Sequence, residues 1–173
     1  MKIHTLIHTA LVAEAKPIIG HFGLTCKAKQ PYNLYENEHI ALIVSGMGSE
    51  NTQAALAYAL TLYELRVAIN IGIAGCSDTT IAKGTLFCTT HHDLGIPFAT
   101  CSSHQKAVDG ALHVNTTLVD MEAETFLHTI PKSIETYVFK VVSDHLETAI
   151  PSKADVGNWI GKSIKQWEKY VRR

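Results

Sequence analysis

Short apolar runs alternate with amphipathic stretches along the chain. The run at 67–73 carries a single polar side chain, Asn70, which is typical of a central strand that is buried on both faces. Similar runs at 3–7 and 136–142 predict two more buried strands, and the segment 84–90 predicts another. The pattern therefore favours a sheet of apolar strands with helices between them.

Two β-prone runs precede the first long helix. Residues 32–35 and 40–44 flank the polar segment 36–39, and this spacing predicts a β-hairpin. A glycine-rich turn then ends the second strand. Ser49 is expected to cap a helix over 50–65, because a serine side chain can accept a hydrogen bond from the first free N–H groups of a helix.

Three further helices are predicted. One covers 14–22 and ends at Gly23, with Pro17 in its first turn, and another covers 121–129. The last begins at Ser152 with a capping-box-like start. Its buried stripe is expected to contain Val156, Trp159, Ile160, Ser163, Trp167 and Val171.

Strands that alternate with helices after an early hairpin indicate the fold class. We expect an α/β protein with three layers, α/β/α, around a central mostly parallel mixed sheet. The segment 93–115 is predicted to consist of loops with one short strand. A length of 173 residues is that of one ordinary domain, so residues 1–173 are expected to form a single domain.

Composition and charge narrow the classes of partner. Fifteen basic and sixteen acidic residues give a net charge of −1, and no run of like charge is longer than Arg172-Arg173, so neither nucleic acid nor a membrane is an expected partner. The apolar N-terminal run is interrupted by His4 and His8 and is interpreted as a strand rather than a signal peptide, which makes the cytoplasm the expected location. Four cysteines without a CxxC pair argue against a zinc site and a disulfide framework.

Acidic side chains follow two of the apolar runs. Glu122 comes just after 118–120, and Asp144 ends the run that begins at 136. Because open α/β sheets bind ligands at the carboxyl ends of their strands, we expect Glu122 and Asp144 to converge on one small molecule from adjacent strands. One carboxylate can accept hydrogen bonds from two neighbouring sugar hydroxyls, and a second that is partly desolvated can donate a proton. The alternative is that these acids cap helices or face solvent.

Four segments, taken in order, resemble the purine nucleoside phosphorylase and nucleosidase superfamily. The resemblance is greatest to its methylthioadenosine/S-adenosylhomocysteine nucleosidases, of which the chain looks like a shortened member. The segments are Ser45-Gly46-Met47-Gly48, Asn70-Ile71-Gly72-Ile73-Ala74-Gly75, Val119-Asp120-Met121-Glu122-Ala123 and Val142-Ser143-Asp144.

The resemblance implies a phosphorylase/hydrolase-like fold and a role for each matched residue. Glu122 would bind the ribose hydroxyls with Met121 packed against the sugar, and Asp144, oriented by Ser143, would donate a proton to the purine N7. Glu14 resembles the glutamate that positions the attacking water. The other substrate-binding positions that it implies are Gly46, Met47, Gly48 and Gly75.

The resemblance also implies the setting of the reaction. It implies a purine nucleoside as substrate, no metal or other cofactor, a homodimer, and a part in nucleoside catabolism and methionine salvage. The segment between 84 and 120 is shorter than in the family, where it carries the aromatic residue that stacks on the base. Phe98 and His104 are candidates for that role, and His91, His92 and Asp93 for lining the pocket.

Three alternatives to a water-using nucleosidase remain open on the sequence. A phosphate-dependent phosphorylase would share the fold, but cationic side chains are missing from the loop after the first strand and from 45–52, which favours water as the nucleophile. A nucleoside-binding homologue without turnover is compatible with the shortened segment. A flavodoxin-like domain is the third, although the chain lacks a loop rich in Ser and Thr after its first strand.

Overall fold

A computed structural model describes residues 3–110, 114–147 and 149–171. The N-terminal Met1-Lys2, the terminal pair Arg172-Arg173 and part of the predicted loop 93–115 lie outside these residues. Within the described ranges the strands are β1 (Thr5–Thr9), β2 (Thr25–Ala28), β3 (Asn33–Glu36), β4 (Ile40–Val44), β5 (Val67–Cys76), β6 (Leu86–Cys88), β7 (Cys101–Ser103), β8 (Leu118–Asp120) and β9 (Glu135–Asp144). The helices are α1 (Val12–Phe22), α2 (Ser49–Leu62), α3 (Ala123–Thr129) and α4 (Lys153–Trp167), followed by a 3-10 turn at Glu168–Tyr170.

All of these strands belong to one mixed sheet. Its centre is parallel: β1 pairs with β4 and β5, and β5 pairs with β9 along most of its length. The hairpin that the sequence predicts is present, because β3 is antiparallel to β4, and β2 adds an outer antiparallel strand. The prediction of a central mostly parallel mixed sheet is confirmed.

Helices cover both faces of the sheet. On one face α1 and α4 bury residues such as Ile18 and Trp167 against Ile69 and Phe139. On the other face α2 and α3 pack Leu56 and Phe126 against the strands. Because side chains alternate along a strand, the two apolar faces follow from the continuous apolar runs. The three-layer prediction is therefore also confirmed.

Several element boundaries differ from the sequence-based predictions. The first helix begins at Val12 because Glu14 accepts the N–H of Leu11, and Pro17 consequently lies inside the helix rather than in its first turn. Gly48, at φ 92°, precedes the first residue of α2, and Ser49 itself is helical, so the cap predicted at Ser49 is wrong. This helix ends at Leu62 because the next residue is extended.

The last helix has its predicted cap and its predicted stripe as far as Trp167, whereas Val171 follows the 3-10 turn and is not part of the helix. Ser152 accepts the backbone N–H of Asp155 at 3.1 Å, which is the predicted cap. Of the six stripe residues, five are buried and Trp159 is half-buried against Gly84. Among the helices that the structure describes, none has the length and apolar character needed to cross a membrane.

The position of β8 corrects one inference about the acidic strand ends. Gly75 of β5 pairs with Val119 of β8 and, on its other side, with Asp144 of β9. The β8 strand is antiparallel to β5 and does not pair with β9. The expectation that Glu122 and Asp144 follow adjacent strands is therefore wrong, because β5 lies between β8 and β9, although both strands end beside Gly75.

Candidate active site

A cavity of about 440 Å³ lies where β1, β5 and β9 end. Because these strands are parallel, their carboxyl ends meet at one edge of the sheet, which is where α/β proteins bind ligands. Most of the residues predicted from the sequence line this cavity, whereas Gly46 and Gly48 lie in the adjoining turn. Those that line it are Glu14, Met47, Gly75, Met121, Glu122, Ser143 and Asp144.

Glu14 lies in the first turn of α1, and three backbone N–H groups donate hydrogen bonds to its carboxyl group. Its Oε2 accepts from Ala10 at 3.0 Å and from Leu11 at 2.9 Å, and its Oε1 accepts from Ile73 of β5 at 2.9 Å. A side chain at Gly72 would lie 3.0 Å from Oε1, so the glycine leaves room for the carboxyl group. Burial raises the pKa of Glu14 to about 7, even though the N–H groups of Ile73 and Leu11 act to lower it. The group can therefore exchange a proton near neutral pH.

Glu122 enters the cavity from the start of α3. The carboxylate accepts the N–H of Gly48 at 2.8 Å, which ties it to the glycine turn after β4. Glu122 is only 7% exposed. Burial raises its pKa above the ordinary value, although the nearby charge of Lys140 acts to lower it. Because Gly48 uses its N–H on Glu122, that turn holds the carboxylate in place.

Asp144 is fixed at the end of β9. Its Oδ2 accepts the hydroxyl hydrogen of Ser143 at 2.6 Å, and its Oδ1 accepts the N–H of Leu146 at 2.9 Å. A side chain at Gly75 would come within 2.6 Å of Leu146 and 3.1 Å of Asp144. A larger residue at position 75 would therefore have to displace the side chain of Leu146 and crowd the carboxyl group of Asp144. The hydrogen bond from Ser143 restricts the carboxyl group of Asp144 to one orientation in this structure.

A buried ion pair lies close to Glu14 and Glu122. Lys140 Nζ is 2.6 Å from Asp120 Oδ2, and both side chains are at most 1% exposed. Asp120 also accepts the backbone N–H groups of Glu122 and Ala123 and the hydroxyl of Ser103. It thereby joins the ion pair to the segment that presents Glu122.

The two members of the pair hold each other in the charged form. Burial acts to lower the pKa of Lys140, but Asp120 and Glu122 keep it above its usual range. For Asp120, burial acts to raise the pKa, and Lys140 outweighs it and lowers the value. A signal for this pair was present in the sequence: a lysine inside the apolar run 136–142 needs a buried partner. The sequence did not indicate which acid that partner is.

The aromatic candidates for base stacking lie elsewhere. Phe98 stacks on His92 with ring centroids 3.6 Å apart, and His104 lies 3.0 Å from the hydroxyl of Ser102. Neither side chain lines the cavity, so both suggestions are wrong, as are His91, His92 and Asp93 as pocket residues. In this region the segment 106–109 forms part of the wall instead. The described residues contain no cluster of three or more His, Cys, Asp or Glu side chains arranged to hold a metal ion.

The fold and the site together define an α/β protein with an acidic cavity at the carboxyl edge of its sheet. A family model described as the phosphorylase superfamily matches residues 7–136, which is more than half of the chain. The chain belongs to this superfamily. A search of the curated proteins found no match.

Solved structures with the same fold are similar over nearly the whole chain. The 5'-methylthioadenosine/S-adenosylhomocysteine nucleosidase of Helicobacter pylori has a TM-score of 0.84 at 13% identity, covering 99% of this chain and 98% of that chain. The futalosine hydrolase of the same organism has a TM-score of 0.82 at 13% identity, covering 98% of this chain and 97% of that chain. The Arabidopsis thaliana 5'-methylthioadenosine nucleosidase has a TM-score of 0.79 at 15% identity, covering 99% of this chain and 96% of that chain.

The raised pKa of Glu14 predicts how stability depends on pH. The folded protein keeps a proton on Glu14 up to about pH 7, whereas the unfolded chain releases it near the ordinary value of 4.5. The contribution of protonated Glu14 to the stability of the fold is therefore complete below about pH 4.5 and is lost as the pH rises to about 7. We expect a loss on the order of 3 kcal/mol in the free energy of unfolding across this window, measured by urea denaturation.

Two variants test the assignment of this pH dependence. Glu14→Gln has no titrating group and should show a flatter curve between pH 4.5 and 7. Glu124→Gln, at an exposed position in α3, should keep the slope of the unmodified protein. Equal slopes in all three proteins would contradict the prediction.

Proposed function

We propose that the protein is a nucleosidase that uses water to cleave the N-glycosidic bond of a purine nucleoside resembling methylthioadenosine or adenosylhomocysteine. The observation that carries the proposal is that Glu14, Glu122 and Asp144, which come from three separate elements, line one cavity. The superfamily assignment and the nucleosidase folds of the structural neighbours support it.

Each acid has a chemical role in the proposed reaction. Glu122 accepts hydrogen bonds from the ribose hydroxyls and fixes the sugar. Asp144 gives a proton to the purine N7, so that the base leaves with the electron pair of the C1′–N9 bond. Glu14 accepts a proton from the water whose oxygen bonds to C1′. The products are the free base and the free sugar.

The charges around the cavity favour water over phosphate. Among the described residues that line it, Lys106 is the one cation, and six carboxyl groups line the same cavity. Lys140 is close by, but its ammonium group forms an ion pair with Asp120. Even with protons on Glu14 and Asp144 and with Asp120 paired, the lining keeps Asp109, Glu122 and Glu147 against Lys106, so a phosphate dianion would meet repulsion that a neutral water molecule does not. The acidic members of the lining are Glu14, Asp109, Asp120, Glu122, Asp144 and Glu147.

An assay with and without phosphate tests the proposal. The purified chain is incubated with methylthioadenosine, adenosylhomocysteine, inosine or futalosine, and the released base is measured. We expect base release at equal rates in phosphate-free and phosphate-containing buffer. Strict dependence on phosphate would make the protein a phosphorylase. Binding of a nucleoside by calorimetry without release would make it a homologue that binds without turnover.

The proposal includes a cytoplasmic homodimer with a part in nucleoside catabolism and methionine salvage. Two apolar side chains at the cavity support the dimer: Met47 is 57% exposed and Ile150 is 93% exposed. A second subunit over them would remove both from water. Sedimentation equilibrium of the purified chain is expected to give twice the mass of 19.0 kDa, and a monomer at micromolar concentration would refute the dimer.

A further inference from the structure

Three buried polar side chains form a row beneath the site. His8 of β1 lies 2.8 Å from the hydroxyl of Ser45 through Nε2 and 2.8 Å from the amide nitrogen of Asn70 through Nδ1. His8 and Asn70 are adjacent in the β1–β5 register and at most 1% exposed. Polar groups in such a position are costly unless they are paired, so the row calls for a physical role.

The hydrogen bonds of the row have a consistent direction. Burial lowers the pKa of His8 to about 3, so its ring is neutral and has one donor and one acceptor nitrogen. With the amide of Asn70 donating to Nδ1, the Nε2–H of His8 donates to Ser45 Oγ. The hydroxyl of Ser45 then donates to the carbonyl oxygen of Gly46 at 2.6 Å. The row therefore ends on the backbone of the glycine turn.

This turn is the element that holds Glu122. It is tied to the end of β1 by two backbone bonds, from Ser45 to Thr9 and from Gly46 to Ala10, each 3.0 Å. Two residues further on, the N–H of Gly48 donates to Glu122. Gly46 and Gly48 both have positive φ, at 85° and 92°, which glycine adopts without steric cost, so it is these hydrogen bonds that fix the shape of the turn.

We propose that His8 is a positioning residue: by holding Ser45 it fixes the Ser45–Gly48 turn, and through the N–H of Gly48 it orients the carboxylate of Glu122. His8 itself does not line the cavity. The consequence for substrate affinity rests on the proposed function, in which Glu122 binds ribose. The effect on the turn does not depend on that function.

Amide hydrogen exchange tests the effect on the turn. His8→Phe keeps a ring beside Phe126, whose ring centroid is 5.9 Å away, but removes both hydrogen bonds. We expect exchange of the Gly48 amide to become about tenfold faster, while the amides of the β1–β5 ladder keep their protection. Ser45→Ala should produce the same change, and the double variant should add nothing further, because both substitutions break one row.

The same variants are then compared for catalysis with methylthioadenosine as the probe. We expect the KM to rise about tenfold with kcat and the pH profile unchanged, because the acid and the base are untouched. His4→Phe is the matched control. In the described part of the chain, the side chain of His4 hydrogen-bonds to the carbonyl oxygen of Glu64 and not to the Ser45–Gly48 turn. It should change neither exchange at Gly48 nor the KM.

Different outcomes separate the two proposals. Unchanged exchange at Gly48 in Ser45→Ala, or in a folded His8→Phe, would overturn the positioning role. If His8→Phe does not fold, Ser45→Ala alone decides. If the unmodified protein cleaves no nucleoside, the proposed function fails, whereas faster exchange at Gly48 would still support the role of His8.

Discussion

Asp144→Asn is expected to lower the rate of base release by about 10²- to 10⁴-fold while nucleoside binding is retained. A purine leaves poorly as an anion, and asparagine has no proton of suitable acidity to give to N7. The loop should keep its shape, because the asparagine oxygen can still accept the N–H of Leu146. Ser143 can turn its hydroxyl to the carbonyl oxygen of Ala74, which is 3.2 Å away.

Rate and binding have to be measured separately for this variant. Base release is followed at saturating methylthioadenosine, and affinity is measured by calorimetry. The matched control is Asp93→Asn, an exposed aspartate outside the cavity lining, which should keep full activity. If Asp144→Asn retained more than a tenth of the rate, Asp144 would not be the proton donor.

Lys140→Met is expected to lower the free energy of unfolding by about 3–5 kcal/mol. The substitution leaves the carboxylate of Asp120 in a site where it is completely buried and has lost its counter-charge. Methionine fills the space of the lysine stem, so the loss is electrostatic rather than a cavity effect. Urea denaturation at neutral pH measures the change.

Two further variants isolate the ion pair. Lys140→Met combined with Asp120→Asn removes both charges and should recover part of the lost stability, because no uncompensated charge remains. Lys165→Met breaks an exposed pair with Glu168, where the lysine side chain is 76% exposed, and should change stability by less than about 1 kcal/mol. A loss for Lys140→Met no larger than that for Lys165→Met would contradict the buried-pair interpretation.

Lys140 has a second expected consequence for the site. Its charge acts to lower the pKa of both Glu14 and Glu122. The folded fraction of Lys140→Met should therefore hold protons on these acids to higher pH. This links the stability of the sheet to the protonation of the groups proposed to act on water and ribose.

Local patterns were sufficient for the elements with a clear buried face. The stripe of α4 and the apolar run of β5 each show which side chains enter the core, because burial imposes the period of the element on the sequence. The edge strand β2 was not predicted, since Thr25–Ala28 is largely exposed and lacks an apolar run. The predicted strand ends at residue 7, whereas β1 continues through His8 and Thr9. Polar residues after an apolar run are typical of a loop, and the sequence alone does not show that these two are buried.

The sequence by itself determined the layers, the family resemblance and the acids that its motifs contain. Only the tertiary structure decided that β8 is antiparallel, that Asp120 is the partner of Lys140, and that His8 reaches Ser45. These are pairings between segments far apart along the chain. A local pattern records whether a residue is buried, but the identity of its neighbour depends on strand order and register, which arise only when the whole sheet is assembled.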